Sequence, residues 1–175
     1  MSYMSDRAKG MSGNRHISKT VQLNKKSIER YLFSCKKAGK QLKPASAKQD
    51  IHQHTDYIVD GETVDLKALK ESSRDGFVLL EFKNVAGKSG WCNPEGTPPW
   101  IAFDFGGFFL HAKNIDLYNL AQEKCDFDTS VSRFNQCLYK VYTRRSRKDL
   151  MSMVKLQDVL NSCEHWFLPY PVIID

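Results

Sequence analysis

The sequence has no apolar run approaching the roughly 18–20 residues of a membrane-spanning helix. Residues 1–20 lack the apolar core of a secretory signal peptide. No CxxC pair is present and the five cysteines are widely spaced, which argues against a structural zinc site and against a disulfide framework. We therefore expect a cytoplasmic protein in a reducing environment, without a membrane partner.

Positive charge is concentrated at the start of the chain. The formal net charge of the 175 residues is +6, yet residues 1–50 alone hold twelve Lys and Arg against three acids. Residues 1–20, rich in Ser and Gly, are predicted to be a flexible basic arm, and residues 21–175 a single domain. A second basic cluster lies at residues 144–148. This distribution indicates a polyanionic partner, nucleic acid first; the alternative is a solvated arm that only keeps the chain in solution.

The hydrophobic pattern predicts a helix followed by strands and further short helices. Ile28, Tyr31, Leu32 and Cys35 recur at helical spacing, and Gly39 would end that helix. Residues 40–53 are predicted to be a polar connection. Strands are predicted at 55–59, 62–68, 77–83, 100–105, 108–112, 138–143 and 150–156, with helical turns at 114–120 and 157–163. The expected fold class is α+β: an N-terminal helix and a central, mainly antiparallel or mixed sheet flanked by helices.

The dipeptide Asp60-Gly61 between two apolar strands predicts a tight hairpin. With these residues as the turn, Asp56 lies opposite Asp65. By the same register, His54 lies opposite Lys67. Two carboxylates ~5 Å apart on a sheet repel one another, so a divalent cation such as Mg²⁺ is a natural partner for them. The alternative is a solvent-facing pair of acids that Lys67 neutralises.

Asp56, followed by Asp65-Leu66-Lys67 on the next predicted strand, resembles the motif of the PD-(D/E)XK nuclease superfamily, in particular its small phage and bacterial members. In that superfamily an acid begins or ends one strand, and an acid-x-lysine triplet lies on the next. The likeness extends over residues 54–120 and, more loosely, over 142–149. It implies a restriction-endonuclease-like fold in the cytosol of a bacterium or of an infected host cell.

The resemblance also implies a metal-dependent endonuclease that acts on DNA rather than RNA. Asp56, Asp65 and the backbone carbonyl of Leu66 would hold Mg²⁺ or Mn²⁺. Glu81 would be a further catalytic residue and metal ligand. Lys67 would orient or activate the attacking water.

A rival triplet, Glu81-Phe82-Lys83, lies on the next predicted strand and fits the same pattern with Asp65 as its partner acid. The hairpin triplet is preferred because the tight turn sets its geometry. In one respect the sequence departs from the superfamily, since Thr55 rather than proline precedes Asp56. In the Gly- and Lys-rich loop that follows, Trp91 is a candidate for base stacking.

Basic residues of the arm, the first helix and the 144–148 turn are expected to hold nucleic acid through its phosphates. The candidates are Lys25, Lys26, Arg30, His54, Arg144, Arg145, Arg147 and Lys148. A homodimer is left open, because many nucleases of this type dimerise to cut both strands. Another hypothesis is a catalytically inactive module of the nuclease fold that binds nucleic acid or inhibits a host protein. A third is a ribosome- or replisome-associated protein whose basic arm orders on a partner.

Overall fold

The computed structural model of the protein describes residues 22, 24–68 and 76–170. In chain order the elements are α1 (24–37), β1 (Leu42–Pro44), α2 (Ala47–Gln53), β2 (Tyr57–Val59), β3 (Glu62–Lys67), β4 (Phe77–Lys83), β5 (Trp100–Asp104), β6 (Phe108–Lys113), α3 (Asn114–Lys124), β7 (Asp126–Val131), a 3₁₀ turn (Phe134–Gln136), β8 (Lys140–Tyr142), β9 (Leu150–Lys155), α4 (Leu156–Ser162) and β10 (His165–Pro169). The predicted basic arm, residues 1–20, lies outside the described residues.

The strands form two sheets, where a single central sheet was predicted. The larger sheet has the order β1-β2-β3-β5-β6-β10, and the smaller sheet has the order β4-β9-β8-β7. In the larger sheet β3 and β5 run parallel, and the other neighbouring strands are antiparallel. The α+β class and the N-terminal helix are confirmed. The single sheet is wrong because β4 pairs with β9, far along the chain, and not with β3.

The larger sheet contributes apolar side chains to a core on each of its faces. On β5, Ala102 packs with Tyr31 of α1 on one face. Its neighbours Ile101 and Phe103 pack on the other face, with side chains of the smaller sheet and of α3 and α4. Because side chains alternate along a strand, one sheet can serve both cores.

Helix α1 buries a different face from the one predicted. Tyr31 and Cys35 are fully buried as expected, but Ile28 and Leu32 are 38% and 37% exposed. Ser27 is buried in their place, and its Oγ donates a hydrogen bond to Asp104 Oδ2 at 2.6 Å. The orientation of the helix therefore depends on a polar contact that hydrophobic spacing alone does not reveal.

Residues 40–53, predicted to be a polar connection, form β1 and α2. A capping box begins α2: Ser46 Oγ accepts from the backbone N–H of Gln49, and the Gln49 side chain accepts from that of Ser46. This pair satisfies two of the N–H groups that a helix start leaves open, which explains a helix in a polar segment.

All five cysteines are buried with free thiols. Across the described ranges, no helix is both long and apolar enough to cross a membrane.

Gly90 brings the loop after β4 into close contact with that strand. Its N–H donates to Phe82 O at 2.9 Å, and a Cβ at this position would lie 2.2 Å from Glu81 O. We expect Gly90→Ala to lower the free energy of unfolding by about 2 kcal/mol or more, measured by urea denaturation. Gly107→Ala is the matched control, because its Cβ would meet nothing within 4 Å. Equal effects in the two variants would contradict the close approach.

His111 of β6 is fully buried beside two aromatic side chains. It forms a hydrogen bond of 2.8 Å with Tyr31 and stacks on Trp166 with ring centroids 3.4 Å apart. Burial, followed by the charge of Lys40, lowers the pKa of His111 from 6.5 to about 3. The unfolded chain therefore takes up this proton first, and stability is lost as the pH falls from about 6.5 towards 3.

We expect His111→Gln to flatten this acid limb of the stability profile. Between about pH 7 and pH 4.5 the wild type should lose on the order of 2 kcal/mol more unfolding free energy than the variant. Urea denaturation at both pH values measures the difference. His165→Gln, at a half-buried position on β10, is the control and should retain the wild-type slope. An unchanged slope in His111→Gln would contradict the prediction.

Candidate active site

The hairpin of β2 and β3 has the predicted register up to Asp56. Tyr57 pairs with Val64 and Val59 with Glu62. Strand β3 lies between β2 and β5, and Asp65 is only 4% exposed. The interpretation of Asp65 as a solvent-facing acid is therefore wrong, because neighbouring elements cover this face of the sheet.

Asp56 lies just outside the ladder and does not pair with Asp65 in the strand register. Its backbone N–H donates to Val64 O at 2.9 Å, one residue out of the hairpin register. Its side-chain Oδ2 accepts the N–H of Leu66 at 2.7 Å. The Asp56 carboxylate thus accepts a backbone hydrogen bond from β3 at a position beyond the end of β2, where no backbone group of β2 pairs with it.

The two acids nevertheless interact electrostatically. Burial, and then the negative charge of Asp65, raise the pKa of Asp56 from 3.8 to about 6. The Leu66 N–H and the charge of Lys67 act in the opposite direction. The coupling is asymmetric, because a side-chain hydrogen bond between the two carboxyls raises the pKa of Asp56 and lowers that of Asp65. Ionised Asp65 therefore hinders ionisation of Asp56.

Lys67 forms an ion pair with the buried acid. Its Nζ lies 2.6 Å from Asp65 Oδ2. Burial raises the pKa of Asp65, while the charge of Lys67 lowers it and the charge of Glu81 raises it. Asp65 Oδ2 is buried, and the Lys67 ammonium is its close partner among the described residues. A further ligand would have to reach this oxygen beside Lys67 or displace it.

Trp91 supports Lys67 from the other side. The ammonium of Lys67 lies 5.1 Å from the centre of the Trp91 ring, within the range of a cation–π contact. The ring is itself 5% exposed and contacts Phe103 edge-on at 5.8 Å. The prediction that Trp91 stacks on bases is wrong, because the indole is buried in the core beneath Lys67.

Two asparagines that the sequence analysis did not assign to the site fix the loop carrying Trp91. Asn114 Nδ2 donates to Trp91 O at 2.7 Å and to Pro98 O at 3.0 Å. Asn93 Nδ2 donates to Thr97 O at 2.8 Å, and Asn93 Oδ1 accepts the N–H of Thr97. Both asparagines are buried. The available signals were the short amide side chain of Asn93 in a Gly- and Pro-rich loop and that of Asn114 at the start of α3.

Glu81 approaches the site from the smaller sheet. A register shift between residues 81 and 83 places Glu81 opposite Met151 and Lys83 opposite Leu150. Adjacent residues of β9 point to opposite faces, so the shift separates Glu81 from Lys83. Since an acid-x-lysine triplet needs both side chains on one face, this geometry disfavours the rival triplet.

The donors available to a cation are the carboxylates of Asp56 and Asp65. Among the described residues, no set of three or more His, Cys, Asp or Glu side chains is arranged to bind a metal. Mg²⁺ commonly takes one or two protein carboxylates and completes its shell with water and substrate oxygens. The two neighbouring carboxylates match this donor chemistry, whereas ligation by Glu81 and the Leu66 carbonyl stays a prediction.

A cavity of about 360 Å³ opens beside these residues. Asp56 and Lys67 line it from the hairpin, and Asn24 and Ile28 line it from α1. Solvent therefore reaches the edge of the acid pair between the helix and the strands. A small ion or polar group can therefore reach Asp56 and Lys67 from this cavity.

His54 does not lie on a strand opposite Lys67 as predicted. It ends α2 in a left-handed conformation with φ 51°. The prediction failed because α2 ends at His54, so β2 does not extend back to this residue and begins only at Tyr57.

The basic residues predicted to hold nucleic acid fall into two groups. Arg30 Nη1 lies 3.8 Å from the buried carboxylate of Asp104, and Arg144 forms an ion pair with the buried Asp149. Both guanidinium groups therefore have structural partners. The remaining basic candidates are exposed: Lys25 and Lys26 on α1, and Arg145, Arg147 and Lys148 in the turn before β9.

In comparisons with known proteins, no family model, no curated protein and no solved structure matches this chain. The resemblance to the PD-(D/E)XK nucleases therefore depends on the residues of the sequence motif alone.

The ionised Asp56 carboxylate is expected to destabilise the fold. Since its folded pKa is about 6 against 3.8 for the ordinary group, stability falls as the pH rises through that window. We expect Asp56→Asn, without divalent cations, to raise the free energy of unfolding at about pH 8 by on the order of 1 kcal/mol. This gain in unfolding free energy should vanish below the ordinary carboxyl pKa of 3.8. Urea denaturation across the pH range tests this.

Asp60→Asn, in the turn of the same hairpin, is the matched control. Lys40 lies 2.8 Å from Asp60, and its hydrogen bond lowers the pKa of that exposed carboxyl. This variant should therefore gain no stability at alkaline pH. A gain in both variants, or none in Asp56→Asn, would show that repulsion and burial at Asp56 are not the cause.

Proposed function

We propose that this protein is a metal-dependent nuclease of the PD-(D/E)XK kind, cleaving phosphodiester bonds in DNA. The observation that carries the proposal is the meeting of Asp56, Asp65 and Lys67 at one site beside an open cavity. Asp65 is buried, and its charge helps to raise the pKa of Asp56; acids with such perturbed pKa values beside a cavity are typical of functional sites.

The acids and the lysine have separate roles in this proposal. Asp56 and Asp65 hold Mg²⁺ or Mn²⁺, which when bound lowers the pKa of a water ligand and stabilises charge on the reacting phosphate. Lys67 Nζ, placed between Asp65 and the Trp91 ring, donates hydrogen bonds to the attacking water or to a phosphate oxygen. Trp91 acts as a positioning residue that limits where the ammonium can lie.

Glu81 has a second, electrostatic role in the proposed site. Its negative charge raises the pKa of Asp65, so it adds to the negative potential that attracts a cation. The smaller sheet thus contributes to a site whose other acids come from the larger sheet. We propose Glu81 as a catalytic residue and metal ligand, as the resemblance implies.

The arrangement of the larger sheet supports a restriction-endonuclease-like fold. An antiparallel hairpin, β2 and β3, is followed by a parallel neighbour, β5, and α1 covers one face. This is a mixed sheet with an N-terminal helix, as the resemblance implies. The exposed lysines of α1 and the exposed basic residues of the 144–148 turn would hold the phosphate backbone, so binding should weaken with salt.

Two observations favour the alternative of a catalytically inactive module. No three-ligand set is present in the described residues, and Lys67 already neutralises Asp65. In that case the same surface would bind nucleic acid, or a host protein, without cleaving.

The proposal predicts that cleavage depends on Asp65 and Lys67. Wild type, Asp65→Asn and Lys67→Met would be incubated with Mg²⁺ or Mn²⁺ and labelled single-stranded, duplex and branched DNA, and RNA. We expect either substitution to lower the cleavage rate by about 100-fold or more, because each removes charge stabilisation at the reacting phosphate. Binding to DNA, measured by anisotropy, should be retained.

Lys83→Met is the matched control for Lys67→Met, since Lys83 is exposed on β4. It should cleave at the wild-type rate. Loss of cleavage in Lys83→Met but not in Lys67→Met would move the site to the rival triplet. Absence of cleavage from the wild type on every substrate, with salt-sensitive binding intact, would favour the inactive module.

A further inference from the structure

A second cavity, of about 350 Å³, lies between the end of α2 and the loop after β4. Gln53 and His54 line it from the helix, and Ser89, Asn93 and Glu95 line it from the loop. The loop wall is firmly built, because the buried Asn93 is bonded to backbone groups of the loop through both of its side-chain polar atoms.

Each wall of this cavity is close along the chain, or through a backbone contact, to a residue of the proposed nuclease site. His54 is separated from Asp56 by a single residue, Thr55, which is fully buried. On the other wall, Gly90 packs directly on the backbone of Glu81. Both walls of the cavity are therefore connected to residues of the proposed site through short stretches of backbone.

The chemistry of the lining selects a base over a phosphate. No Lys or Arg is among the described residues that line the cavity, and Glu95 adds a negative charge. A phosphate would be repelled there, whereas amide, hydroxyl and carboxylate groups match the donors and acceptors on base edges. The imidazole of His54 offers a flat ring of the kind on which unstacked bases lie.

We propose that this cavity binds the base of an unpaired nucleotide next to the cleaved phosphate. The inference deepens the proposed nuclease function and rests on it for the position of that phosphate. A base in a duplex would first have to be unstacked and unpaired, whereas an unpaired base enters a side cavity without that cost, so the favoured substrate class is single-stranded, flapped or branched nucleic acid.

The test compares a short single-stranded DNA with an abasic strand of equal length and equal phosphate charge. Anisotropy in EDTA gives both dissociation constants. We expect wild type to bind the base-containing strand about tenfold more tightly, the order of one base contact. His54→Gly and Glu95→Gln should each reduce this ratio towards one. Glycine at 54 removes the ring while tolerating the positive φ of that position.

Glu62→Gln, exposed at the start of β3, is the control and should keep the wild-type ratio. A wild-type ratio near one, or a ratio that neither cavity variant changes, would overturn the proposal. A protein that cleaves DNA with a ratio near one keeps the nuclease function and loses the base cavity. A protein that never cleaves but shows a ratio dependent on His54 and Glu95 loses the nuclease function and keeps the cavity.

Discussion

Burial of the Asp65 carboxylate in the middle of a six-stranded sheet is the constraint from which the candidate site follows. A buried charge is costly unless it is paired or remains neutral. Here the pairing is supplied two residues later on the same face of the strand, by Lys67 at 2.6 Å. The lysine is in turn held against Trp91, whose loop is anchored by buried amides. One carboxylate thus accounts for a chain of contacts that reaches from β3 to the start of α3.

The site also depends on how the two sheets meet. Asp65 belongs to the larger sheet and Glu81 to the smaller, and the charge of Glu81 raises the pKa of Asp65 across that boundary. The sheets share a core formed by residues of β4, β5, β6 and β9. Packing of apolar side chains between the two sheets therefore holds the carboxylates of Asp65 and Glu81 near one another despite their repulsion. Such an arrangement stores free energy that a cation or a proton can release.

Local features of the site could be predicted from the sequence, whereas non-local ones could not. The turn dipeptide Asp60-Gly61 sets the register of β2 and β3, and alternation then places Asp65 and Lys67 on one face. The partner of β4 could not be predicted in this way, because its pairing with β9 joins distant parts of the chain. The bulge that separates Glu81 from Lys83 depends on that same pairing.

Polar contacts explain the remaining differences from expectation. The spacing of apolar residues on α1 misses the hydrogen bond of Ser27 with Asp104, and the capping box that begins α2 lies in a segment without apolar periodicity. His54 was wrongly predicted to lie on a strand because this unpredicted helix, α2, ends at it. The sequence could place Trp91 in its loop but could not predict its burial beneath Lys67, because only the folded loop brings the indole to that position.

The central claim is that Asp56 and Asp65 together bind a divalent cation. The most direct test is titration with Mn²⁺ followed by electron paramagnetic resonance, for wild type, Asp65→Asn and Glu62→Gln. The account predicts one saturable site per chain in wild type and in Glu62→Gln, and loss of that site in Asp65→Asn. Absence of saturable binding in wild type, or binding that Asp65→Asn leaves unchanged, would contradict it.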